Sequence, residues 1–128
     1  MRIRIAMVGG ALAALAFGMP ALAVDNPLVV EVQPVGADGV HGNATLFQLG
    51  DHVDVAVNLD GNESGSQAVD VRRGSCKSYA EGAKWPLGSS QETRLPNIKL
   101  ESLLGNVLLI HKTAEQSSPV VGCAQIKG

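Results

Sequence analysis

Three histidines, two cysteines and one short charged strand pattern are the features of this 128-residue chain that could do chemistry. His41 sits in a glycine-rich stretch, His52 opens a strongly alternating segment, and His111 closes an apolar one. A metal centre needs three or four converging donors. The sequence brings only His52 and Asp54 close, two residues apart on one strand face, and supplies no third ligand beside them. Cys76 has neither a histidine nor another cysteine within ten residues, so Cys76 and Cys123 read as one disulfide rather than as metal ligands. Closing so long a loop would remove roughly 4 kcal/mol of unfolded-chain entropy, an upper figure for a domain with a modest core. Nucleophilic catalysis has little support. Gly74-Ser75-Cys76 and Gly88-Ser89-Ser90 lack the G-x-S-x-G spacing, and no glycine loop precedes a helix to cradle phosphate.

Disulfide chemistry implies an oxidising compartment, and the beginning of the chain agrees. Arg2 and Arg4, the apolar run 5–17 and Ala21-Leu22-Ala23 predict a secretory signal peptide over residues 1–23, cleaved before Val24. The run is too short for a bilayer core that needs roughly 20 residues, and no second apolar run follows. Residues 24–128 then form one small domain, periplasmic or secreted, with no transmembrane segment. Without Arg2 and Arg4 the balance is acidic and has no basic run, which argues against nucleic acid or an anionic membrane as partner. Arg72-Arg73, the one adjacent basic pair, reads as a solvated strand end. Asn43-Ala44-Thr45 and Asn62-Glu63-Ser64 fit the glycosylation pattern, but the Ala-rich leader reads as bacterial and gives them little weight.

The elements that would position these residues are short strands. Residues 52–59 alternate most clearly, with Val53, Val55, Val57 and Leu59 on one face and His52, Asp54 and Asn58 on the other. Gly50-Asp51 predicts a tight hairpin turn from a strand over 43–49. Strands are also expected over 28–33 and 68–72, the latter with Val69 and Val71 inward and Asp70 and Arg72 outward as a surface ion pair. Edge strands over 83–87 and 92–95 should end at Pro86 and Pro96. One helical turn stopped by Gly105 precedes a central, almost wholly apolar strand over 106–111, and a closing strand covers 120–126. Eight short strands without a long helix predict an all-β antiparallel Greek-key sandwich or flattened barrel.

Four local patterns, in order, resemble the copper/zinc superoxide dismutase-like superfamily between about residues 43 and 126. Val69-Asp70-Val71-Arg72-Arg73-Gly74-Ser75-Cys76 is similar to the family strand with His-x-His, followed by Gly and the first bridging cysteine. Trp85-Pro86-Leu87 is similar to a Tyr-Pro-Leu turn of small relatives. Residues 100–112 resemble the leucine-rich turn and Val-His strand, and Val121-Gly122-Cys123-Ala124-Gln125-Ile126 resembles the ending that carries the second cysteine. The resemblance implies a dismutase-like fold and a Cys76–Cys123 bridge.

It also implies where metals would sit. His111 falls on the last copper position, while Asp70 and Arg72 occupy the first two. Residues 77–91, which should hold the bridging and zinc ligands, contain no His and no Asp, and Val120 stands where the family has a guiding arginine. A guanidinium is a fixed cation without a lone pair, so it repels a metal. The expectation is therefore an exported binding or structural module with an unidentified protein or small-molecule partner, no catalytic residues, no dismutase activity and no resident metal. The alternative is a degenerate copper-binding or dismutase-like protein using His111 with one or more of Asp70, His41 and His52.

Overall fold

A computed structural model describes residues 24–60, 67–89 and 92–128. The expected signal peptide over residues 1–23, its cleavage site and the Asn62 acceptor pattern lie outside the described residues. Nine strands are present among the described residues: β1 (Leu28–Pro34), β2 (Gly42–Leu49), β3 (His52–Leu59), β4 (Val69–Ser75), β5 (Ser78–Tyr79), β6 (Trp85–Gly88), β7 (Glu92–Pro96), β8 (Asn106–His111) and β9 (Val120–Gln125). A 3-10 turn, Leu100–Leu103, precedes β8.

The strands form one antiparallel sheet in the order β5-β4-β8-β9-β1-β2-β3-β7, with β6 also lying against β4, and the sheet curls into a half-barrel. The β2–β3 hairpin is the most regular part, with Leu49 opposite His52 across the Gly50-Asp51 turn. Gly50 has φ 62°, a conformation that glycine adopts without steric cost. The two halves of the sheet join through the β9–β1 pairs Gly122 with Pro34 and Cys123 with Gln33, and Val35 N–H and Val40 N–H also donate to Val121 O.

Alternation fixes the inner face. Leu28, Val30, Val32, Ala44, Leu46, Val53, Val55 and Val57 enter the core from β1–β3, and Val69, Val71, Leu108, Ile110, Val121 and Ala124 meet them from the other half. Each fully buried Val or Leu contributes about 1.5–3 kcal/mol relative to exposure. Charged residues and prolines occur on the outermost strands, Glu92, Arg94 and Pro96 on β7 and Pro86 on β6, which discourages pairing with another chain.

Several expectations change. Pro86 lies inside β6, opposite Asp70, instead of ending the strand, and an edge position tolerates it because no ladder partner requires its missing N–H. The weakly patterned stretch after Cys76 supplies a ninth strand, the two-residue β5, paired through Gly74–Tyr79 and Ser75–Ser78. The larger correction concerns Asp70 and Arg72, which do not form a surface pair. Asp70 is wholly buried and the Arg72 side chain is 11% exposed.

Candidate functional site

The outer face of β4, β8 and β9 carries a second layer of structure. Alternation points Val69 and Val71 inward, so Asp70 and Arg72 project outward, where they lie in register with Leu109 and Val107 of β8. All six residues of β8 are buried, so this strand is covered on both faces. Val107, Leu109 and Cys123 form a small outer apolar cluster, against which Cys76, Tyr79 and Val120 pack. The cover over it comes from residues 76–84, anchored by the Cys76–Cys123 disulfide with Cα atoms 5.9 Å apart. Lys84 N–H donates to Val71 O, and Ala80 N–H donates to Arg73 O, which ties the cover to β4 at both places.

Beside that apolar cluster lies an ionic one. Arg72 grips Asp70 with two donors, Nε to Oδ1 at 3.0 Å and Nη2 to Oδ2 at 3.2 Å. Its remaining arm, Nη1, donates to Glu81 O at 2.9 Å, and its guanidinium lies 5.7 Å from the Tyr79 ring centroid. His111, 1% exposed, places Nε2 2.8 Å from Asp70 Oδ2 and Nδ1 2.8 Å from Ser118 O. A carbonyl oxygen can only accept, so Nδ1 donates to Ser118, and the contact between Nε2 and the carboxyl holds one proton. Gln67 Nε2 donates to His111 O and fixes that end of β8.

Local irregularities place the two central residues. The β4–β6 register shifts between Val69 and Asp70, and the β8–β9 register shifts between Val120 and Gly122, opposite His111 and Ile110. Such shifts bend a strand and re-aim side chains. One buried carboxylate thereby receives a cation from its own strand and an imidazole from the neighbouring one. Buried charges demand this complete pairing, because an unpaired one costs several kcal/mol.

The cluster does not fit a copper ion. Both Asp70 oxygens and both His111 nitrogens are engaged, and the Arg72 guanidinium stands within the set as a permanent positive charge. The other two histidines lie elsewhere. His41 Nδ1 is 2.7 Å from Asp60 Oδ2 on the surface where β2 begins and β3 ends. His52 lies at the opposite end of β3, 3.8 Å from both Asp51 and Asp54, too far for a hydrogen bond. Asp54 is instead paired with Arg94. Among the described residues no three His, Cys, Asp or Glu side chains gather in a way that could hold a metal.

Sequence reasoning identified Asp70, Arg72 and His111 individually but missed Tyr79, Gln67 and the carbonyls of Glu81 and Ser118. A usable signal was the uninterrupted apolar character of residues 107–110, which requires cover on both faces of β8. No helix among the described residues is long and apolar enough to cross a membrane. No family model, curated protein or solved structure matches the chain.

Proposed function

We propose that this chain is an exported, non-catalytic binding or structural module built on a copper/zinc dismutase-like scaffold, in which an ion-pair cluster stands where the family would hold copper. One observation carries the reading: of the three residues that the resemblance aligns with copper positions, Arg72 and His111 both bond the buried Asp70 carboxyl and leave neither of its oxygens unpaired. Their polar groups are satisfied without a metal, and their arrangement rigidifies the outer face of β4 and β8. The strand order supports the Greek-key part of the reading. The chain crosses from β3 to β4 in the other half of the sheet, returns from β6 to β7 beside β3, and crosses again to β8 beside β4. The bridge and the acidic composition fit a periplasmic or secreted site of action after cleavage near Ala23.

Elemental analysis and a superoxide dismutation assay on freshly isolated protein test this function together. The expected result is less than stoichiometric copper and zinc and no activity above free-metal background. Converting Asp70 and Arg72 to His removes the cation and creates a nitrogen-rich set with His111, so that double variant should gain copper affinity that the parent lacks. Stoichiometric copper together with dismutation in the unmodified protein would overturn the proposal.

A further inference from the structure

We infer that Asp70 couples the two segments that cover the outer face, so that residues 76–84 and 112–119 open together and not independently. An unbroken chain of polar contacts joins them. Glu81 O accepts from Arg72, Arg72 donates to Asp70, Asp70 meets His111, and His111 donates to Ser118 O. Each cover has little apolar surface of its own. In residues 76–84 only Cys76 and Tyr79 are even partly buried, and in 112–119 only Gln116 and Ser118 are. The second segment is otherwise held at its start, where Ala68 N–H donates to Thr113 O and Lys112 Nζ to Asp38 Oδ2, by Gln116 Nε2 to Val69 O, and by the short-range bonds Ser118 N–H to Glu115 O, Thr113 N–H to Ser118 Oγ and Lys112 N–H to Pro119 O.

The coupling follows from what release of one cover does to the carboxylate. If residues 76–84 lift, Arg72 loses the Glu81 carbonyl and the Tyr79 ring, and water reaches its bonds to Asp70. Asp70 is then less well neutralised on one side, and its contact with His111 changes. His111 has no freedom to compensate, because Nδ1 is bound to Ser118 O and the ring is buried. Low local dielectric makes each of these bonds sensitive to loss of its neighbour. The device is a latch: when it opens, Val107, Leu109, Asp70 and His111 become accessible at once on a face otherwise sealed from solvent.

The test perturbs each cover through a side chain other than Asp70, Arg72 and His111 and reads the other cover by amide hydrogen exchange in the full chain. Tyr79→Ala removes packing from the first cover, and Ser118→Ala removes the hydroxyl that braces the second. Tyr79→Ala should raise exchange at Lys112 and Ser118 by about 10-fold or more, and Ser118→Ala should do the same at Ala80 and Lys84, within the usual range of coupling between sites. Amides of the β2–β3 ladder, such as Val55, should not change. In an Asp70→Asn background both cross-effects should disappear. Faster exchange confined to the cover that carries the substitution, in variants that remain folded, would overturn the inference. These two single variants decide the matter even if the Asp70→Asn chain does not fold.

Discussion

The inner and outer faces of β4 and β8 use the same two strands to build opposite kinds of layer. Inside, Val69, Val71, Leu108 and Ile110 join a large apolar core whose stabilisation is non-directional and spread over some twenty residues. Outside, three small apolar residues are flanked by one carboxylate, one guanidinium and one imidazole, and the cover above is fastened by a disulfide. A methyl lost from the inside removes a fraction of many contacts, whereas an atom lost from the outside leaves a charge unmatched. The inner layer therefore tolerates graded change, while the outer one tolerates complete replacement better than partial loss.

The largest expected effect is at Asp70. Asp70→Ala strands Arg72 and His111 without their shared partner and should destabilise the domain by about 3–5 kcal/mol, comparable with or larger than Leu46→Ala in the inner core at about 2–5 kcal/mol. The sharper comparison replaces Asp70, Arg72 and His111 together by apolar residues of similar volume. That triple variant should recover most of the loss, as removal of a whole buried ionic set often does. Chemical denaturation of the three proteins checks both statements, and a triple variant no more stable than Asp70→Ala would mean that the outer layer does not depend on charge matching.

Next in size is the disulfide. Replacing Cys76 and Cys123 by Ala should cost about 2–4 kcal/mol in thermal or denaturant unfolding, because the bridge constrains the unfolded chain as well as the outer cover. Gly74 should matter for a related reason. It has φ 123°, and a Cβ there would lie 2.7 Å from the Tyr79 Cα, so Gly74→Ala strains the turn that leads into the cover. A loss of about 1–3 kcal/mol is expected, with the near-ultraviolet signal of Tyr79 altered before that of Trp85, which packs against the inner core.

The smallest effect belongs to the solvent side of the other half of the sheet. Arg94 donates Nε to Asp54 Oδ1 at 3.0 Å, and this bond, aided by the guanidinium charge and opposed by slight burial, holds the Asp54 carboxyl below its ordinary value. A lowered folded value means that the pair's contribution is present above the ordinary carboxylate range and is lost as pH falls through the lowered value. Carbon-13 titration of the Asp54 carboxyl should therefore move upward in Arg94→Met, with little change in unfolding midpoint at neutral pH. An unmoved titration would remove this pair from the account.

How much of this could be read from sequence differs between the same two faces. The inner face was legible, because Val53, Val55, Val57 and Leu59 recur with a period of two and Gly50-Asp51 marks the turn before them. The bridge was legible because only one cysteine pair exists. The outer face was not, because its covers, residues 76–84 and 112–119, are mostly exposed and carry no hydrophobic period. Asp70 and Arg72 therefore looked like a solvated pair, and only register against Leu109 and Val107 shows that they share a buried face. The resemblance led to the same three residues by another route, but their mutual bonding depends on register shifts beside Asp70 and His111 that no local pattern announces.

That ions and not a metal close the outer face is put to the test by titrating the protein with copper(I) while the His111 ring resonances are recorded. With both ring nitrogens committed to Asp70 and Ser118, the account predicts that one equivalent of copper leaves those resonances in place. A tight one-to-one complex that shifts the His111 ring and is abolished by His111→Ala would contradict it.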